Sequence, residues 1–185
     1  LDLFCGNGNP GLCRVRALCA RVLDYGHKNI LNIRLAAQST GEPNNFSGPS
    51  TCNNNEKVLG HGRLDAELQD HLTGFNHMQC HEATHNGCKV YADATKTLSN
   101  QAACGSLSDN KFKLEILIAP EAQGQVATST CPPGYKATGW ADLENLGNMA
   151  LGQLLTTFTI DNDHAEATFS HTGKLKALCA RVVPK

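Results

Sequence analysis

The stretch Leu72-Thr73-Gly74-Phe75-Asn76-His77-Met78-Gln79-Cys80-His81-Glu82-Ala83-Thr84-His85-Asn86-Gly87-Cys88 concentrates reactive side chains more than any other part of the chain. It holds three of the eight histidines and two of the nine cysteines. His77, His81 and His85 recur every fourth residue, and Glu82 directly follows the middle one. Two backbones would give the stretch two chemistries. On a helix, His81-Glu82-x-x-His85 sets two imidazoles on one face with a carboxylate base between them, the donor set of a catalytic zinc. On a strand running into a turn, Gly74-Phe75 and Asn86-Gly87-Cys88 become framework around closely spaced ligands. The fold turns on which of these the rest of the chain favours.

At 185 residues the chain is long enough for one domain with a sizeable core. A formal net charge of -1 offers no electrostatic handle for nucleic acid or an acidic membrane, and no apolar run approaches a membrane span. The chain opens at Leu1-Asp2, with no Met, basic segment or apolar segment, as expected after removal of a signal. Nine cysteines exceed ordinary cytosolic use, and none forms Cys-x-x-Cys, which argues against a structural zinc ribbon. An oxidised framework fits instead and implies secretion to an extracellular fluid. Asn45-Phe46-Ser47, a glycosylation sequon at Asn45 in a Gly/Pro/Asn-rich loop, agrees with that compartment. An odd cysteine count leaves at least one thiol free or paired between chains.

Residues 1–14 read as an irregular N-terminal extension and residues 15–185 as the folded domain. Val15–Leu23 and Ile30–Leu35 are expected to form a hairpin around the turn Asp24–Asn29. Lys57–Leu68 suits a strand, although Leu64, Leu68 and Leu72 also suit a helix. Lys89–Gly139 reads as a long mixed loop pinned by Cys104 and Cys131, with one clear strand at Lys113–Ala119. Leu154–Asp161 and Ala165–Ser170 alternate as strands, and Thr172-Gly173-Lys174 reads as a turn into a last strand, Leu175–Val183. Seven or eight short strands without a long helix predict an all-β sandwich or barrel. The hexapeptide Ala17-Leu18-Cys19-Ala20-Arg21-Val22 recurs as Ala177-Leu178-Cys179-Ala180-Arg181-Val182 with no repeat period behind it.

Four segments together resemble a divergent Cu/Zn superoxide dismutase domain. Ala17-Leu18-Cys19 through Ile30-Leu31-Asn32-Ile33 is similar to that family's first hairpin, and Leu72–Cys88 to its copper strand and Asn-Gly-Cys turn. Asp142 with Leu146-Gly147-Asn148 resembles the corner after the zinc loop, and Gly173–Val182 the last strand. The resemblance implies an eight-stranded Greek-key barrel with a long disulfide-pinned loop. It also implies a Cys88–Cys179 disulfide closing a loop of about 90 residues, worth roughly 4 kcal/mol, and a buried, unpaired Cys19.

The metal chemistry transfers only in fragments. Asn76 and Met78 occupy the places of two copper histidines, and His77 between them points to the opposite face of a strand. His171 stands for the last copper ligand at the end of a strand, Asp142 for the zinc aspartate, and Lys176 for the arginine that draws in superoxide. No histidine lies between His85 and His164 to bridge the metals. One or two surviving imidazoles do not make a redox copper centre. This pattern resembles the superoxide-dismutase-like proteins of bivalve haemolymph, the pernin, cavortin and dominin group. That resemblance implies a secreted, catalytically inactive protein that binds zinc or copper and self-assembles, in transport or defence. His77, His81, His85, His171 and Asp142 are then the candidate metal ligands. An active extracellular dismutase, with Lys176 as anion guide, is one alternative. A zinc metallopeptidase through His81-Glu82-x-x-His85, with Glu82 as base, is the other, and Tyr91 stands where a third metzincin histidine would be.

Overall fold

The computed structural model describes residues 19–41, 49–64, 75–80, 86–92, 98–146 and 155–185. Among them the chain forms twelve strands and no helix, so the all-β expectation holds. In order these are β1 (Leu31–Leu35), β2 (Ser39–Gly41), β3 (Ser50–Thr51), β4 (Lys57–Leu64), β5 (Phe75–Cys80) and β6 (Gly87–Ala92). There follow β7 (Leu98–Leu107), β8 (Phe112–Ile118), β9 (Ala122–Thr130), β10 (Lys136–Asn145), β11 (Leu155–Ile160) and β12 (His164–Pro184). All pairings are antiparallel. The N-terminal extension, Asn45 and the segment His81–His85 lie outside the described residues.

The smaller sheet is built on β7, which carries β1 and β2 along one edge and β4 along the other. The larger sheet runs β11-β12-β10-β5-β6-β3, with β8 and β9 on the second edge of β12. β12 is its spine. Ala165, Ala167 and Phe169 are buried, then Leu175, Ala177 and Cys179 in the same phase, the period-two alternation of a strand with one covered face. In its C-terminal half Leu178 and Ala180 are buried as well, because that half lies between two apolar clusters. The sheet also curls on itself. Ala137 pairs with Cys179 near the end of β12, yet its N–H donates to Asn162 just before the strand begins. Small inward residues at 127, 137, 165, 167 and 177, all alanine, permit that curl.

Four expectations change. Val15–Leu23 gives no strand over its described part, residues 19–23, which pairs with the chain just before β1 through one isolated bridge, Leu23 to Asn29, and through Ile30 N donating to the Val22 carbonyl. Side chains take the ladder's donors there: Asn29 Oδ1 accepts from Val22 N and Leu31 N, and Asp24 Oδ1 from Gly26 N and Lys28 N. Lys89–Gly139 is not a long loop: its described residues contribute to five strands, β6 to β10. Thr172-Gly173-Lys174 does not turn the chain; β12 runs through it for 21 residues with a register shift against β9. Gly173 serves packing instead, since a Cβ there would fall inside the Phe169 ring.

The fourth correction concerns the Cys88–Cys179 disulfide. Cys88 is bonded to Cys80, and Cys179 to Cys131, while Cys52 is bonded to Cys104. Cys80 and Cys88 face each other in register across the β5–β6 ladder, so strand pairing makes them partners. Cys131 follows β9 where the curled sheet brings it beside Cys179. Cys104 and Cys131 do pin the central region, as expected. Among the described residues Cys19 is the free thiol, as expected, but it is exposed, not buried.

Candidate functional site

The best-developed donor cluster lies where the two sheets meet. At Gly60 on β4 and Gly139 on β10 the two backbones nearly touch: a Cβ on Gly139 would stand 3.1 Å from Gly60 Cα. That approach, possible only without side chains, sets the next residues side by side. His61 packs against Trp140 with ring centroids 5.5 Å apart, and Trp140 makes an edge contact with Phe158 at 4.4 Å. Trp140 is thus half-buried against the core. β5 pairs with β10 beside it, and Cys80 Sγ lies 3.9 Å from the Trp140 carbonyl oxygen.

One ring nitrogen of His61 and the sulfurs of Cys80 and Cys88 all lie within 4.8 Å of one another, and all three residues are buried. Neither His61 nitrogen has a hydrogen-bond partner. A buried polar group left unpaired costs about 1–3 kcal/mol, so the fold carries this imidazole at a loss. Burial pushes its pKa down to about 4, with the nearby Asp142 charge opposing the shift. The ring is therefore neutral at neutral pH and retains a lone pair for a Lewis acid. A second group, Cys52, Glu56 and Cys104, has the same spacing. Its carboxylate is already occupied, by Arg34 at 2.9 and 2.6 Å and by Asn53 N at 2.8 Å.

The residues expected as metal ligands are not gathered in this way. Asp142 faces Lys176 directly across the β10–β12 ladder, with Lys176 Nζ 3.8 Å from its carboxylate. His171 does not end a strand; it lies inside β12, exposed, with Nδ1 3.3 Å from Ser170 Oγ. The β10–β12 ladder runs from Lys136–Ala180 to Asn145–Gly173, so His171 falls beyond it and away from Asp142. His77 sits on β5 opposite Tyr91 and Glu144. His81, Glu82 and His85 lie outside the described residues. The described donors thus do not fit a dismutase copper–zinc pair, and no redox step is built on one. Arg181 is a surface charge, bonded to Glu115 at 2.8 Å over the Tyr135 ring.

Sequence reasoning missed His61. Gly60-His61-Gly62 reads as a weak strand, and a register shift between Val58 and Gly60 changes the phase that places His61 inward. Two glycines flanking a histidine are the only local signal, since glycine in a strand often marks a close backbone approach. Among the described residues no helix is long and apolar enough to cross a membrane. The three disulfides among the described residues fit an oxidising, extracellular-type environment. In comparisons with known proteins, no family model matches this chain and no curated protein matches it either.

Proposed function

We propose that this chain is a secreted domain of superoxide-dismutase type, a Greek-key barrel whose role is metal binding and self-association in an extracellular fluid. One observation carries the metal reading: a buried imidazole with both nitrogens unpartnered, placed against two sulfurs. The antiparallel architecture and the curled sheet around β12 support the fold type. Dismutation is disfavoured because Asp142 is spent on Lys176 and His171 faces solvent.

Elemental analysis of the purified protein, an in-gel dismutase stain and size-exclusion chromatography test this together. The expected result is bound zinc or copper, no dismutase band and elution ahead of a monomer. A dismutase band with stoichiometric copper would establish the enzyme instead. Chelator-sensitive proteolysis would do the same for the peptidase, and a metal-free monomer would remove the binding role.

A further inference from the structure

We propose that the Cys80–Cys88 disulfide gates a metal site: once a small thiol opens it, its two sulfurs and the His61 imidazole bind one thiophilic cation, zinc(II) or copper(I). The inference rests on the metal-binding reading above and adds the donors, the cation class and the switch.

The geometry supplies each part. Three donor atoms, all on buried residues, lie within 4.8 Å of one another. Around a tetrahedral zinc, with Zn–S near 2.3 Å and Zn–N near 2.0 Å, donors sit about 3.3–3.8 Å apart. The imidazole is already at that scale, whereas two sulfurs joined to each other are too close and too weakly donating to chelate. Opening the bond lets them separate and become thiolates, the ligands that select soft and borderline cations. Three protein donors also leave a fourth position for water or another ligand.

The pocket is built to outlast the reduction. Cys80 and Cys88 are opposed across a ladder that also pairs Gln79 with Lys89 and Met78 with Val90, so backbone bonds keep the thiols adjacent. This disulfide spans 8 residues, against 52 for Cys52–Cys104 and 48 for Cys131–Cys179, so opening it releases the least chain entropy. The chemistry balances. Two equivalents of a small thiol deliver two electrons and two protons to the cysteine sulfurs and leave as their own disulfide. The entering cation displaces both thiol protons to solvent, and the imidazole adds its lone pair. Exchange with a small disulfide reverses the step: it takes the two electrons and two protons from solvent to leave as two thiols, the S–S bond re-forms and the cation is released.

The test uses the whole chain carrying Cys19→Ser, which removes the exposed free thiol, with cobalt(II) as a visible stand-in for zinc. The oxidised protein should show no thiolate-to-cobalt charge transfer. After phosphine reduction under nitrogen, one equivalent should bind with that band, and zinc should displace it. The band should vanish in Cys80→Ala/Cys88→Ala and persist in Cys52→Ala/Cys104→Ala, whose sulfurs belong to the rival group. His61→Phe, which keeps an aromatic ring against Trp140, should weaken zinc binding by more than the roughly 10- to 100-fold that losing an outer-sphere partner costs.

Unchanged zinc affinity in His61→Phe would show that the imidazole only fills the core and would overturn the proposal. Equal zinc affinity in oxidised and reduced protein would overturn the gate while leaving metal binding intact. No binding in either state would end both readings. Should the cysteine variants misfold, zinc protection of Cys80 and Cys88 from alkylation in the reduced parent, mapped by peptide mass spectrometry, decides the matter. Unprotected thiols there overturn the proposal.

Discussion

His61 shows how one side chain ties the fold to pH. Its folded pKa is lowered to about 4 by burial, while in the unfolded chain it titrates near 6.5. Between those values the unfolded chain binds more protons, so stability rises with pH across that window. The contribution is complete above about pH 6.5 and is lost as pH falls toward about 4, a difference on the order of 3 kcal/mol. Urea unfolding of oxidised, metal-free protein should show this slope, and His61→Phe should flatten it. An unchanged slope in the variant would mean that the imidazole is hydrated in solution. Arg34 and Glu56 make a different case. Arg34 binds the largely buried Glu56 carboxylate through two nitrogens and holds its pKa below the usual range. Arg34→Ala should cost about 1–3 kcal/mol, because it leaves a carboxylate short of donors. Lys113→Ala, which removes an exposed lysine from a half-buried Glu115 that keeps Arg181 as partner, should cost under about 1 kcal/mol. Chemical denaturation of the two variants separates them.

At the scale of elements, β12 carries the most consequence. Leu175, Ala177 and Cys179 face one apolar cluster and Leu178 another, so a change in this strand disturbs both sheets. Leu178→Ala should destabilise by about 2–5 kcal/mol through the cavity it leaves. Gly173 is the point where the strand passes under Phe169. Gly173→Ala should cost about 1–3 kcal/mol by overpacking, and Phe169→Leu in the same chain should recover part of that loss. Strictly additive losses in the thermal midpoints would show that the two do not touch. Alternation over Ala165–Ser170 and Leu175–Val183 was legible because period two needs only neighbouring residues. Continuity through Thr172-Gly173-Lys174 was not, because that triplet reads as a turn until a ring from four residues earlier occupies the space. β7 and β9 escaped notice for a related reason. Polar residues sit on both of their faces, Ser99, Asn100 and Ser129 buried and Gln123, Thr128 and Thr130 exposed, so strand pairing, and not composition, makes them strands.

At the scale of the molecule, disulfides and sheets lock each other in place. Peptide mapping without reduction should recover Cys52–Cys104, Cys80–Cys88 and Cys131–Cys179, and no Cys88–Cys179 peptide. Cys131→Ala/Cys179→Ala should lower stability by about 2–4 kcal/mol, as expected for a loop of 48 residues closed between the arms of the curled sheet. The sequence alone determined an all-β protein with an oxidised cysteine framework, because strand alternation and cysteine count are local or compositional properties. Only the tertiary structure decided which cysteines pair, which histidine is buried and what surrounds it. The two copies of Ala-Leu-Cys-Ala-Arg-Val give the reason. Cys19 in the first is free and exposed, whereas Cys179 in the second is buried and bonded to Cys131. Identical letters meet different fates because burial and partnership are set by distant segments brought alongside, which no local stretch encodes.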